Sequence, residues 1–156
     1  MTVKEILSIA DIRVPLTKTT KEAILEEMVD ILYENKKIQD KEKLLAALFE
    51  REKLMSTGVG DGVAIPHAKA EGIQKIIAAF GITAQDIAFN SLDNKPVRLL
   101  FLLVGPVDQP KMHLTALSRI SRLLHEAQFR QKLLHCQNSE AALNLILEEE
   151  QRVYEC

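Results

Sequence analysis

The hydrophobic pattern of the chain changes period twice, from helical to extended and back. After Thr19 the apolar residues Ile24, Leu25, Met28, Val29, Ile31 and Leu32 fall on one stripe, as expected of an amphipathic helix lying on a core. Thr19 and Glu22 have capping-box spacing, and Asn35, Lys36 and Lys37 close the segment with charge suited to a helix C-terminus. A second helix is predicted from Asp40 to Lys53 or Leu54, with Leu44, Leu45, Leu48 and Phe49 on its buried side. The pattern then becomes extended. Residues 63–65 read as a short buried strand stopped by Pro66. Residues 76–82 (IIAAFGI) read as a strand weakened by two alanines and Gly81. Residues 97–104 (VRLLFLLV) form a near-continuous apolar run, expected of a central strand covered on both faces. Helical spacing returns with Leu114, Leu117, Ile120, Leu123 and Leu124, then with Phe129, Leu133 and Leu134. A final helix is expected from a Ser139 cap through Leu147, with residues 148–156 frayed. At the other end, Val3, Ile6, Leu7 and Ile9 suggest a short helix. Ile12, Val14 and Leu16 alternate like a strand, which Pro15 confines to a sheet edge or an irregular segment.

Helices, then strands, then helices predict an α/β fold: a single domain with a mixed central sheet and helices on both faces. A length of 156 residues suits one core, and no linker or internal repeat divides it. With 47% hydrophobic residues, 27% charged, six glycines and five prolines, collagen-like and disordered classes are excluded. The net charge of -2 provides no electrostatic reason to expect nucleic acid or insertion at an anionic membrane. No apolar run reaches membrane-spanning length. Glu5 and Asp11 interrupt any signal-like start, so a cytoplasmic protein is expected. Cys136 and Cys156 are far apart and lack a CxxC partner; no metal set and no cofactor are expected.

Candidate chemistry concentrates in residues 56–72, STGVGDGVAIPHAKAEG, which hold four of the six glycines. Gly58, Gly60 and Gly62 permit positive φ and close backbone approach. They are expected either to turn the chain or to aim amides at an oxyanion. Ser56 and Thr57 add hydroxyls, and Arg51 adds a planar cation suited to phosphate. His67, at a proline-stiffened corner, could be a nucleophile, a base or a ligand, or a histidine without chemistry. His113 follows the strongest strand beyond the GPVDQP loop, where ligand sites of α/β sheets gather; otherwise it is a solvent-exposed residue at a helix start. Lys69 and Lys111 could steer phosphate, and Asp61 is expected to form a turn between two glycines or to orient an imidazole. His125 and His135, set among leucines, read as solvated or packing residues. P-loop, Rossmann, GxSxG and HExxH patterns are absent.

The stretch EREKLMSTGVGDGVAIPHAK, residues 50–69, resembles the active-site segment of the fructose/mannitol/nitrogen-type enzyme IIA domain (EIIA type 2) of the bacterial phosphoenolpyruvate-dependent phosphotransferase system. The pattern runs from Glu52 through Val59 and Gly60 to Val63, Ala64, Ile65, Pro66, His67 and the small Ala68. A second landmark spans residues 96–124, and the likeness covers about residues 3–150. The resemblance implies that His67 accepts a phosphoryl group on Nε2 from the histidine-containing phosphocarrier protein, that His113 is a second active-site histidine, and that Arg51 lies close by. Asp61 stands where the family usually carries asparagine. Beside these, the amides of Gly58, Gly60 and Gly62 and the hydroxyls of Ser56 and Thr57 are candidate phosphoryl-stabilising groups. Leu54, Met55, Val59 and Met112 are expected to rim a shallow depression around His67. A nitrogen-regulatory IIA acting on target proteins is the favoured version. The alternatives are a sugar-specific IIA serving a separate IIB, and an interaction module without phosphotransfer.

Overall fold

The computed structural model describes residues 1–154. In chain order its elements are α1 (Val3–Ile6), β1 (Ile12–Leu16), α2 (Lys21–Glu34), α3 (Lys41–Leu54), β2 (Gly58–Gly60), β3 (Val63–Ala64), β4 (His67–Ala70), β5 (Ile77–Ile87), β6 (Val97–Pro106), α4 (Pro110–Leu124), α5 (Ala127–Leu134) and α6 (Ser139–Tyr154). The strand order is β1-β5-β6-β3-β2, with β4 also paired to β6. β5 and β6 are antiparallel, β1 runs parallel to β5, and β3 and β4 run parallel to β6 one after the other.

The apolar run of β6 becomes the spine of this sheet because its alternate side chains serve two cores. Leu99, Phe101 and Leu103 join Phe80, Ile82, Ile120 and Leu123 on the side covered by α1, α4, α5 and α6. Leu100, Leu102 and Val104 join Met28, Leu32, Leu44 and Leu48 under α2 and α3. Phe80 and Phe101 face each other across β5 and β6, ring centroids 5.5 Å apart, within the range of a favourable tilted pair. The single-domain mixed sheet with helices on both faces is thus the predicted architecture. β1, with Pro15, lies at its edge as predicted.

Local details differ from the sequence reading for identifiable reasons. The α2 cap is Thr20, whose Oγ1 accepts the Ala23 N–H at 3.2 Å, not Thr19. Asn138, not Ser139, caps α6: its Oδ1 accepts the Ala141 N–H at 2.8 Å, while the Ser139 hydroxyl donates to the Ile12 carbonyl. The strand predicted at 76–82 runs to Ile87. Gly81 does not weaken it but admits β1, since a Cβ there would lie 2.2 Å from Leu16 Cδ1. The tail expected to fray after Leu147 continues as helix through Tyr154. Buried Glu150 anchors it, accepting the Val3 N–H at 2.8 Å and Arg119 Nε at 2.6 Å, and the Arg119 guanidinium lies 3.8 Å from the Tyr154 ring centroid. The predicted fraying of residues 155–156, and Cys156 with it, lies outside the described residues. Among the described residues no helix is long and apolar enough to cross a membrane.

Candidate active site

β3 and β4 are nearly one strand, broken at Ile65 and Pro66, and both lie along β6 in a single register: Val63 opposite Leu99, His67 opposite Leu103. Proline cannot donate to a ladder, so the chain kinks and His67 starts β4 half-buried. Its Nδ1 lies 2.8 Å from the Ile65 carbonyl oxygen. A carbonyl only accepts, so Nδ1 carries the proton and Nε2 keeps its lone pair. Burial, followed by the charge of Arg51, lowers the His67 pKa, against the opposing pull of the Ile65 hydrogen bond and of Glu52.

His113, in the first turn of α4, lies with its ring centroid 5.6 Å from that of His67. It is only 7% exposed, which overturns the reading of a solvent-facing histidine. The cause is Gly105 near the end of β6: a Cβ there would stand 2.6 Å from His113 Nδ1, so the missing side chain is the space the imidazole fills. Nδ1 itself is buried and has no hydrogen-bond partner among the described residues. Burial first, then the charges of His67 and Lys69, push the His113 pKa down from 6.5 to about 4. Both rings are therefore neutral at pH 7. Because the unfolded histidine takes its proton at a higher pH than the folded one, stability is greatest above 6.5 and falls as pH drops towards 4. For His113 alone the loss is about 3 kcal/mol. Urea unfolding between pH 7.5 and 4.5 is expected to show this decline, and His113→Gln to flatten it; an unchanged slope in that variant would assign the decline elsewhere.

The last turn of α3 divides its charges by direction. Arg51 reaches forward, Nη1 donating to the Met55 carbonyl at 2.7 Å. Glu52 turns inward, where its side chain is 6% exposed and meets Lys21 Nζ at 2.8 Å. Lys21 was not singled out in the sequence, because a lysine at a helix start reads as a surface charge; its only signal was proximity to the cap.

The glycine segment is a β-hairpin. β2 and β3 pair antiparallel, with Gly58 opposite Ala64 and Gly60 opposite Val63. The tip, residues 60–62, therefore points away from His67; four residues, 63–66, lie between Gly62 and His67 along β6, five steps of nearly extended chain or roughly 16 Å. This corrects the expectation that Gly60 and Gly62 aim amides at a group on His67. Their φ angles of 109° and 79°, with 58° at Asp61, show that the tip needs left-handed backbone. Asparagine and aspartate adopt that conformation most readily after glycine, so Asp61 is a turn residue, as one sequence reading had it, and not an orienter of His67. Its N–H donates to Asp93. Ser56 and Thr57 come closer, level with Ile65, but are engaged internally. The Ser56 hydroxyl donates to the Phe89 carbonyl at 2.8 Å and accepts the Gly58 N–H at 3.0 Å. The Thr57 hydroxyl and N–H both bond Glu52. Gly58 is glycine because Ser91 Oγ would stand 2.3 Å from a Cβ.

Leu54, Met55, Val59 and Met112 are exposed by 83%, 58%, 52% and 38%, so Met55 and Met112 belong to the surface and not to the core. Lys69, Lys111, His125 and His135 are also exposed.

Residues 5–149 match the family described as phosphoenolpyruvate-dependent sugar phosphotransferase system, EIIA 2. The "PTS system fructose-specific EIIA component" of Haloferax volcanii is 36% identical over 129 residues, covering 83% of this chain and 84% of that protein. The "PTS system fructose-specific EIIABC component" of Bacillus subtilis is 34% identical over 94% of this chain, but the chain spans only 23% of that longer protein. The crystal structure of nitrogen regulatory protein IIA-Ntr from Neisseria meningitidis superposes with a TM-score of 0.86 at 31% identity, covering 92% of this chain and 98% of that one. Together with the fold, these matches show that the chain belongs to the EIIA type 2 family of the phosphoenolpyruvate-dependent phosphotransferase system.

Proposed function

We propose that this protein is a cytoplasmic phosphocarrier in which His67 Nε2 takes a phosphoryl group from the histidine-containing phosphocarrier protein. The observation that carries the reading is the Nδ1–H hydrogen bond to Ile65, which leaves the Nε2 lone pair free on a half-buried ring. That lone pair attacks phosphorus in line. The new N–P bond forms as the donor's N–P bond breaks, and the donor nitrogen keeps the electron pair. Nδ1 retains its proton throughout, so the ring becomes cationic as it is phosphorylated, and the Ile65 carbonyl oxygen stabilises that charge. Positioning and charge do most of the work in such a transfer. Arg51 attracts the equatorial oxygens. With Nδ1 of His113 buried and lacking an acceptor, the proton of the neutral ring belongs on Nε2, where it can donate to the transferred group. Ser56, Thr57 and Gly58 act by holding the hairpin; Gly60 and Gly62 shape its tip. The exposed Leu54, Met55, Val59 and Met112 supply an apolar contact surface for transient partners.

The same site serves two versions of the function. The nitrogen-regulatory version is favoured by the close superposition on the Neisseria protein; phosphorylation would then control binding to target proteins. The fructose relative matching over most of the chain keeps the sugar-uptake version in view, with phosphate passed to a separate IIB. Incubation with radiolabelled phosphoenolpyruvate, enzyme I and the phosphocarrier protein is expected to give acid-labile, base-stable label. Absence of label would refute the carrier reading. Loss of the label on adding a fructose-type IIB would favour uptake; retention, with target proteins captured by one phosphorylation state only, would favour regulation.

Gly105 tests the role of His113 without removing it. In Gly105→Ala the new methyl must displace the imidazole or Ile76, which a Cβ would approach to 3.0 Å. Overpacking of this kind costs about 1–3 kcal/mol, and labelling is expected to slow at least tenfold in a folded protein. A folded variant in which the His113 ring resonances have shifted but which labels at the parent rate would show that the placement of His113 is immaterial.

A further inference from the structure

Glu52 is a buried carboxylate with no place in the transfer chemistry above. It receives three donors. The Thr57 N–H lies 3.0 Å from Oε1, Lys21 Nζ lies 2.8 Å from the same oxygen, and the Thr57 hydroxyl donates to Oε2. Lys21 is itself held, 3.3 Å from the Phe89 carbonyl and 4.5 Å from the centroid of its ring. A buried ion pair seldom stabilises more than well-packed apolar groups of equal size, so stability alone gives little reason for charge here.

The hydrogen bonds continue beyond Thr57. Its carbonyl accepts the Ile65 N–H at 3.0 Å. The Ile65 carbonyl in turn accepts from His67 Nδ1 at 2.8 Å. An unbroken series of bonds thus runs from Lys21 at the start of α2, through Glu52 at the end of α3 and Thr57 beside β2, to the imidazole. We infer that Glu52 is a positioning residue: by pinning Thr57, whose carbonyl holds the Ile65 N–H, it keeps Ile65 in the backbone conformation that aims its carbonyl at His67 Nδ1, so the proton stays on Nδ1 and the lone pair on Nε2. The electrostatic influence of Glu52 on His67 agrees with this proximity. The consequence for phosphotransfer rests on the carrier reading; the tautomer does not.

The two are separable by experiment. Nitrogen-15 NMR of the unphosphorylated full chain at pH 7.5 reads which ring nitrogen of His67 bears the proton, while the labelling assay reads the rate. In Glu52→Ala the Nε2–H form is expected to become populated and labelling to slow at least tenfold. Glu52→Gln keeps an oxygen for the Thr57 amide and is expected to restore the Nδ1–H form and most of the rate. Circular dichroism monitors the fold. Should Glu52→Ala be unfolded, Thr57→Val and Thr57→Ser make the same comparison one link further on: a partial tautomer shift in the first, none in the second. The inference is overturned if His67 stays wholly in the Nδ1–H form in both Glu52→Ala and Thr57→Val, or if Glu52→Gln fails as completely as Glu52→Ala. A parent chain that takes no label while its variants shift tautomer would refute the carrier reading and leave the positioning role standing.

Discussion

His67→Ala is expected to take up no phosphoryl group while remaining folded. The backbone of β4 keeps its pairing to β6 whatever the side chain, and the variant loses one side-chain hydrogen bond, about 1 kcal/mol. Loss of label therefore reports chemistry and not collapse. The informative control is His135, which has a similar local geometry. Its Nδ1 lies 2.7 Å from the Gln131 carbonyl, its Nε2 is equally free, and it is exposed at the end of α5. An imidazole with its Nδ1 bonded to a carbonyl is thus not peculiar to His67, but His67 has Arg51 acting on it and a second imidazole 5.6 Å away. His135→Ala is expected to label like the parent chain. Quantitative labelling of both variants, with phosphate mapped by mass spectrometry, tests this. Label persisting in His67→Ala, at His135 or anywhere else, would remove the assignment.

Asp11→Ala is expected to cost about 3 kcal/mol and to lower Tm by roughly 10 °C. The carboxylate is fully buried, and it accepts from the Ser8 N–H and hydroxyl at 2.9 Å each, from Asn35 Nδ2 at 2.8 Å and from Lys37 Nζ. It ties the turn before β1 to the C-terminal end of α2, and its removal strands donors from three residues at once. Lys37 can turn partly to water, which keeps the cost at the low end for a broken buried pair. Burial raises the Asp11 pKa, but the hydrogen bonds from Lys37, Ser8 and Asn35 outweigh it and hold the group below 3.8. The unfolded carboxyl therefore protonates first. The stabilisation is complete above 3.8 and is lost as pH falls through the folded value, a window below that of the histidines. Asp11→Asn, which keeps the shape but not the charge, is expected to show a weaker acid limb. Denaturant titrations at pH 7 and pH 3 distinguish these outcomes, and a loss under 1 kcal/mol for Asp11→Ala would discard the anchor role.

Much of the fold was legible because β6 and the long helices carry their period in their own side chains. Leu99 to Val104 are apolar on both faces since helices cover both; the second helix, predicted to start at Asp40, starts at Lys41 with Asp40 as its cap. β2 and β4 were missed. GVG and HAKA have little β preference of their own, and they are strands because β3 and β6 offer them partners. The cap positions were displaced by one residue where two neighbouring side chains compete, as at Thr19 and Thr20, and only the geometry of the first turn chooses between them. At the site, the proline-histidine corner and the arginine were visible as residue types in a pattern. The three glycines invited a phosphate-cradle reading because positive φ serves turns and cradles alike.

What the amino-acid sequence determined by itself is the fold class and the two-sided core, since these depend on side-chain character and local period; its resemblance to a known motif named His67, His113 and Arg51 as candidates. What only the tertiary structure decided is which groups meet. It seated His113 in the space left at Gly105, turned the hairpin tip away from His67, and buried Glu52 against Lys21. Those outcomes follow from how strands pair and helices pack in three dimensions, and the period of apolar residues along a segment carries no record of them.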